Sequence, residues 1–482
     1  MDFDERYRND VIQYAIEKYG QDRVAHIVTF ATIKAKQAIR DAARVLGLPF
    51  SSGDRVAKLM PPMILGNTAT ISECLSLDEE NTSGYSKEFY SASEELRKQY
   101  KNDEEAKQII DIALGLEGLR RQDGIHAAAI VISPDTITKF LPIQQKGSNA
   151  EIVTQYEMHT VEQLGLLKMD FLGLRNLSIV DRTLELIGSE SLDIDNLKLD
   201  DEKTFKLFAE GKMTGVFQLE SRVAQSTSRS LKPKRFEDIV ALVALIRPGP
   251  LGAGMHNEFA DRANNRKEIE YLHNDLESIL NETYGVILYQ EQVMQIAEKI
   301  AGFNLQEADN LRVAMGKKIP KVMEEQRKKF TDGAVSNNYS EQFAIELFDQ
   351  IAYFAGYGFN KSHSVPYALL AYQTAYLKAN YPAEYIAACL TAVKRDKDRT
   401  AIFLSEARDM GVKVSTPDIN LSSSDFTVND NEILFGLSAV RNVGDLSLIH
   451  ISEPTRLLSI GVSGLGVKKK RGGGGGGGGG GG

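Results

Sequence analysis

Apolar residues recur at helical spacing from the start of the chain: Val11, Ile12, Ala15, Ile16 and Tyr19 share a face, and Gly20 closes the helix they predict. AHIVTF (25–30) reads as a short strand, followed by an alanine-rich helix from about Lys34 to Leu46 with Gly47 as its stop. Residues 50–120 turn polar, interrupted by Pro61-Pro62 and by the acidic, Ser-rich run SLDEENTSGYSKEFYSASEE, and predict a small helical domain with a loop. Strands return at HAAAIVIS (126–133), EIVTQY (151–156) and LGLLKMDF (164–171), so a sheet is split in sequence by a helical insert. From Asn176 to about Lys394 the pattern is mainly helical, with loops at RPGPLGAG (247–254) and AGYGFNKSHS (355–364) and a strand pair, TVND and EILFGLSAV, over 427–440. The chain shows no internal repeat.

Composition changes this picture in two places. At 482 residues, 42% hydrophobic and 26% charged, the chain has room for two to four domains of ordinary globular character. No apolar run approaches a membrane span, no signal peptide opens the chain, and the two cysteines, Cys74 and Cys389, suggest neither a disulfide framework nor a zinc site, which fits a reducing cytoplasm. The stretch from Leu446 to Gly482 reads differently. Its last part is what a run of A changing to a run of G encodes in one frame, and LSLIHISEPTR resembles a translated transposon-end adapter from a sequencing library. It is therefore set aside as non-native. Because it carries five Lys/Arg and one Asp/Glu, the net charge without it moves from −9 to −13. An acidic total argues against a sequence-independent nucleic-acid coat, yet Leu311–Thr331 holds seven Lys/Arg against two acids, a local cluster suited to phosphate.

Candidate chemistry centres on LLKMDFLGLRNL (166–177). In an extended strand Leu167, Met169 and Phe171 take one side while Lys168 and Asp170 take the other, so a cation and an anion point at one spot just before a turn. A metal-dependent phosphoryl-transfer enzyme needs an acid in such a place; the plainer alternative is a solvated Lys/Asp pair. The second segment is AGYGFNKSHSVPYALLAYQTAYLK. Its glycines allow a tight turn, a helix starting near Ser364 tolerates Pro366 in its first turn, and Lys361 and His363 stand at a helix N-terminus suited to anions. Tyr357 and Phe359 are candidates for stacking on a base or sugar. Arg312, followed by Lys317 and Lys318 in DNLRVAMGKK, supplies further phosphate-binding groups. On the alanine-rich helix Lys34, Lys36, Arg40 and Arg44 are candidates for phosphate-backbone contact or simply a solvated face. His126, a lone histidine opening a strand, reads as structural.

Together these segments resemble the C-family bacterial replicative DNA polymerases, the DNA polymerase III alpha subunits. DFDERYR, TFATIKAKQAIRDAARVLG, KMDFLGLRNL, VFQLESR, ALVALIRPGP, YGVILYQEQVMQIA, LRVAMGKK and GYGFNKSHS occur in the family's order and spacing over about residues 1–445. The resemblance implies an α+β chain: a partial palm sheet of the nucleotidyltransferase type (1–30 and 122–175), a helical thumb inserted in it (31–121), and a large, mainly helical fingers domain (176–445). It implies template-directed nucleotidyl transfer from dNTPs to a primer 3′-hydroxyl with two Mg²⁺ ions. Asp170 is then the catalytic carboxylate and metal ligand of the second palm strand, and Lys168, Arg312, Tyr357, Asn360, Lys361 and His363 surround the incoming nucleotide. Primer-template DNA, the sliding clamp and the clamp loader are the implied partners, with no membrane.

Two departures qualify that expectation. The family's first catalytic strand reads P-D-x-D-x-D-F, and its first two aspartates are metal ligands; this chain starts at the third, Asp2, followed by Phe3. A fragment truncated at both ends, inactive alone, is therefore expected. Val313 also stands where many members carry a second Arg or a Lys, which bears on triphosphate affinity. The core motifs are equally those of a lesion-tolerant paralogue, and a non-catalytic nucleic-acid-binding protein that truly starts at Met1 is the alternative from another class.

Overall fold

The computed structural model describes residues 1–63, 68–76, 84–146, 151–188, 192–317, 320–355 and 358–443. Tyr357, Lys318 and the stretch 446–482 read as non-native lie outside the described residues, and Lys317 is described only in its backbone. The chain divides into two compact units between Leu174 and Arg175.

The first unit opens with β1 (Asp2–Asp4), α1 (Arg8–Tyr19) and β2 (Val24–Thr32). A helical insert follows: α2 (Ala35–Val45), α3 (Phe50–Ala57), α4 (Ile71–Leu75), α5 (Gly84–Ser91), α6 (Glu94–Asn102) and α7 (Glu104–Leu116). The sheet resumes with β3 (Arg120–Ile132), β4 (Ile143–Lys146) and β5 (Glu151–Thr154), then α8 (Met158–Gln163), β6 (Leu167–Asp170) and β7 (Leu172–Leu174). Five strands form one sheet in the order β4-β5-β2-β3-β6, while β1 and β7 pair in a separate parallel ladder.

Period-two alternation along β2 and β3 assigns their residues to two faces. Val24 and Ile130 pack with Ile12, Ala15 and Phe171, whereas Ala25, Ile27, Ala129 and Val131 pack with Val161 of α8, Ile137, Leu141 and Leu166. The sheet is thus covered on both sides. The insert leaves and rejoins it through a short clasp, Ile33 N–H to Leu119 C=O (2.9 Å) and Gly118 N–H to Ile33 C=O (2.9 Å). Inside the insert α2 packs closely on α3, four of its six buried positions being the alanines Ala35, Ala38, Ala42 and Ala43. A Cβ on Gly53 would stand 2.8 Å from that of Ala43, so the close approach requires a glycine there.

The second unit is helical: α9 (Arg175–Ile187), α10 (Glu202–Glu210), α11 (Arg222–Leu231), α12 (Phe236–Leu245), α13 (Pro248–Gly252), α14 (Met255–Ala263), α15 (Glu277–Leu280), α16 (Gln290–Ala301), α17 (Leu305–Lys317), α18 (Pro320–Ser336), α19 (Glu341–Ala355), α20 (Lys361–Asn380), α21 (Pro382–Ala392) and α22 (Lys397–Asp409). A small sheet of β8 (Lys413–Val414), β10 (Glu432–Leu434) and β9 (Thr427–Asn429) follows. One core gathers α10–α12, α14 and α20, and a second gathers α16–α19. No helix among the described residues is long and apolar enough to cross a membrane.

Several expectations need correction. The stretch 247–254, read as a loop, contains the short helix α13, whose Pro248 lies in the first turn where a missing N–H costs nothing. The helix expected near Ser364 begins at Lys361, because the Asn360 side chain caps it by accepting the His363 N–H at 2.8 Å. Pro366 therefore lies inside the helix rather than in its first turn. The strand expected through Val440 stops at Leu434 and gives way to a 3₁₀ turn at Leu437–Ala439. Leu167, expected on the apolar side with Phe171, is 55% exposed.

One buried group ties sheet stability to pH. His26 on β2 lines a cavity of about 320 Å³ with Gln13, Ile16 and Glu151, and its Nδ1 is buried without a hydrogen-bond partner among the described residues. Burial holds its pKa below the ordinary 6.5, with the Arg8 charge adding to that and Glu151 opposing it. The unfolded chain therefore binds a proton near pH 6.5 while the folded chain still does not. Stability from this group is complete above that pH and is lost as pH falls toward the depressed folded value. Urea unfolding at pH 7.5 and 5 should show a steeper acid loss for the wild type than for His26→Gln; parallel losses would remove His26 as the cause.

Candidate functional site

β6 delivers Lys168 and Asp170 to one side of the sheet, as strand alternation requires. Lys168 Nζ lies 3.0 Å from Asp170 Oδ2 and 3.6 Å from Glu162 Oε1 of α8, with the lysine largely covered and the aspartate half exposed. The backbone then bends: Phe171 N–H donates to Ala128 C=O (2.9 Å), and β7 leaves to pair with β1. Their register sets Asp2 opposite Leu172 and Phe3 opposite Gly173. The ladder continues backwards, with Leu172 N–H donating to Met1 C=O (2.9 Å) and the Met1 ammonium donating to Asp170 C=O (2.9 Å). The N-terminal end of β1 thus abuts Asp170. Among the described residues no three His, Cys, Asp or Glu side chains converge as a metal site. His126 Nδ1 accepts the Ala128 and Ala129 N–H groups at 3.2 and 2.8 Å, a structural use of that ring.

In the second unit Asn360, Lys361 and His363 form the first turn of α20, held by a short bridge in which Phe359 N–H donates to Leu288 C=O (3.1 Å) and Gln290 N–H to Phe359 C=O (2.9 Å). The helix N-terminus expected to receive an anion already faces one: the Glu291 carboxylate accepts the Lys361 N–H at 2.9 and 3.0 Å. Lys361 Nζ lies 2.7 Å from Glu282 Oε2 and 5.6 Å from the Tyr289 ring. Burial, with Glu282 and Glu291 adding to it, drives the Tyr289 hydroxyl pKa far up, so that group stays protonated. The His363 ring is exposed and stacks on Tyr367 at 4.2 Å and against Phe359 at 5.6 Å. Arg247 lies over the other ring of this ladder, 3.9 Å from the Phe359 centroid. Arg312 Nε binds Asp309 Oδ1 at 2.9 Å on α17. Among the described residues no hydrogen bond or ion pair joins Arg312 to the Asn360–His363 turn.

The candidate phosphate-binding helix α2 carries Lys34 at its N-cap and exposes Lys36, while Arg40 is fixed by Asp54 (2.9 Å) and Arg44 by Asp41 (2.8 Å). Sequence reasoning passed over Arg247, Glu282 and Glu291. Arg247 and Glu291 lie in segments singled out for other reasons, ALVALIRPGP and YGVILYQEQVMQIA, and their sequence distance from Lys361 hid the contact.

Comparison with known proteins gives these features a context. A profile of the bacterial DNA polymerase III alpha NTPase domain matches residues 1–173, one of the bacterial DNA polymerase III alpha subunit finger domain matches 176–338, and a helix-hairpin-helix motif matches 411–456. The described part of that last stretch holds β8–β10, and its match reaches into the residues read as non-native. The DNA polymerase III subunit alpha of Saccharopolyspora erythraea is 45% identical over 462 residues, covering 94% of this chain and 38% of that protein. That of Thermus aquaticus is 44% identical over 458 residues (94% and 36%), and that of Escherichia coli K12 is 44% identical over 466 (94% and 39%). The chain spans under two fifths of the length of these curated relatives. With these matches running from its first residue through both units, the chain belongs to the bacterial DNA polymerase III alpha subunit family.

Proposed function

We propose that this chain is the central part of a replicative DNA polymerase, whose whole catalyses template-directed nucleotidyl transfer from dNTPs to a primer 3′-hydroxyl. The first unit is read as palm, with its helical insert as thumb, and the second unit as fingers. One observation carries this reading more than any other. In the β1–β7 register a position two residues ahead of Asp2 would fall opposite Asp170, and the family pattern P-D-x-D-x-D-F puts an aspartate there. A longer chain on that register brings a second carboxylate beside Asp170.

Two Mg²⁺ ions are the cofactor the family implies. Such ions need near-octahedral oxygen ligation, and the residues present do not supply it: Asp170 is a single carboxylate with the Lys168 ammonium 3.0 Å away. The chain's own residues are read in simpler roles. Lys168 offers positive charge to an α-phosphate, Asp170 marks where carboxylates gather, and Arg312, Lys361 and His363 orient the triphosphate, with Asn360 capping the helix of Lys361 and His363 and Tyr357 assigned to the same nucleotide. Lys34, Lys36, Arg40, Arg44, Lys317 and Lys318 are assigned to the DNA backbone. Sliding clamp and clamp loader remain proposed partners of the whole protein.

Each described cation assigned to the triphosphate is held by a carboxylate: Lys168 by Asp170, Arg312 by Asp309 and Lys361 by Glu282. An incoming triphosphate has to displace those partners. In a lengthened, active version Glu282→Gln should therefore lower the apparent nucleotide KM severalfold with little change in kcat, since the freed lysine gains phosphate without first losing a carboxylate. An unchanged or raised KM would show that the Lys361–Glu282 pair positions the lysine instead.

A further inference from the structure

The first unit carries a second basic feature, separate from Lys168 and Asp170. At the end of β2 and β3 nearest the helical insert, a cleft of about 560 Å³ is lined by Phe30, Arg120, Arg121, Gln122, Gln144 and Gln155, with Asp123 at its wall. The size falls within the range of ligand-binding clefts. A β-bulge builds it. Ala31 is opposite Gln122 and Thr32 opposite Arg120, so Arg121 is the extra residue on β3. Consecutive residues of a regular strand point to opposite faces; the bulge lets both arginines line one cleft.

The charges leave a clear excess. Asp123 is neutralised by Lys146 (3.0 Å) and receives a hydrogen bond from Gln144 (3.0 Å). Arg121 shares the single carboxylate of Asp41, at 3.7 Å, with Arg44, at 2.8 Å. Arg120 has no ion-pair partner among the described residues; its guanidinium lies 4.2 Å over the Phe30 ring and the side chain is exposed. One guanidinium face is thus backed by an aromatic ring while the residue opens to a cleft rimmed by amides. An arginine plane stacks on a nucleobase, phosphate pairs with a neighbouring cation, and amides bond base edges without demanding one sequence.

We infer that this cleft is a single-strand subsite, in which an unpaired nucleotide lays its base on the Arg120 plane and its phosphate on Arg121. The inference rests on the polymerase reading above for its ligand class. It lies at the Ile33–Leu119 clasp, where the insert joins the sheet, so the strand would pass the root of the insert and continue toward Lys34 and Lys36. An acidic peptide is the competing occupant.

Fluorescence anisotropy on the whole 482-residue chain, with a labelled 16-nucleotide single strand at 50–250 mM salt, tests this. Arg120→Lys keeps the charge and loses the plane: affinity should fall about tenfold with the salt slope unchanged. Arg121→Ala should weaken binding and reduce the slope by about 0.7. Circular dichroism on each variant separates these effects from misfolding, and Phe30→Leu, which removes the backing ring, should reproduce the Arg120→Lys loss. If the wild type binds the strand and the variants bind equally well, the subsite is wrong while the polymerase reading stands. If the wild type binds neither single strand nor primer-template, the polymerase reading falls with it. If polyglutamate displaces the strand at equal charge concentration and binds the Arg120→Lys variant as tightly as the wild type, the cleft is an anionic-peptide site and the inference is overturned.

Discussion

Replacing Lys378 by methionine is expected to cost the second unit about 3–5 kcal/mol, the range for breaking a buried ion pair from one side. Lys378 lies on α20 with its side chain 1% exposed, and all three of its protons are used: on the carbonyls of Lys212 and Thr214 at 2.7 Å each and on Glu406 Oε1 at 2.6 Å. Burial pushes its pKa down, and the Glu406 carboxylate opposes that shift. Methionine matches the stem but leaves a covered carboxylate and two carbonyls unpaired. The thermal midpoint should fall by roughly 6–20 °C, and Lys378→Met with Glu406→Leu should recover part of the loss. This pin holds the far end of the helix whose first turn carries Lys361 and His363, the residues proposed for the triphosphate. An unchanged midpoint in the single variant would show that the Lys378 charge contributes nothing to the fold.

The second large effect concerns the triphosphate. Arg312→Ala and Lys361→Ala, each in a lengthened and active version, should raise the apparent nucleotide KM by about 10- to 150-fold, since charge-assisted hydrogen bonds are worth about 1.5–3 kcal/mol. Val313→Arg, at a position 36% exposed one residue on from Arg312, should act in the opposite sense. Unchanged KM and kcat in both alanine variants would return Arg312 and Lys361 to a surface role, paired with Asp309 and Glu282.

What was legible in the sequence was local. Helix α1 and its Gly20 stop follow from 3.6-residue spacing and a backbone with φ of 109° that glycine alone adopts readily. The Lys168–Asp170 pair follows from the two-residue period of a strand, and the split sheet from the return of apolar runs after a polar insert. α20 starts three residues ahead of Ser364: confining Pro366 to a first turn points to Ser364, whereas Asn360, a good capping residue, is the better signal. The partners of the site were not legible. Glu282 and Glu291 reach Lys361 across 79 and 70 residues, and nothing in local periodicity marks such a meeting. The same holds for Arg120 over Phe30, where a bulge breaks the alternation on which strand reading depends.

The central claim is that Asp170 belongs to a polymerase active site completed by a strand that extends β1 past it. Primer extension on a radiolabelled primer-template tests it most directly, comparing the 482-residue chain with a version lengthened ahead of Met1 by the family's upstream portion including P-D-x-D, each with and without Asp170→Asn. The account predicts no template-dependent product from the chain as given, extension by the lengthened version, and a loss on the order of 100-fold or more when Asp170 becomes Asn. Extension by the 482-residue chain itself, or a lengthened version indifferent to Asp170→Asn, would contradict it.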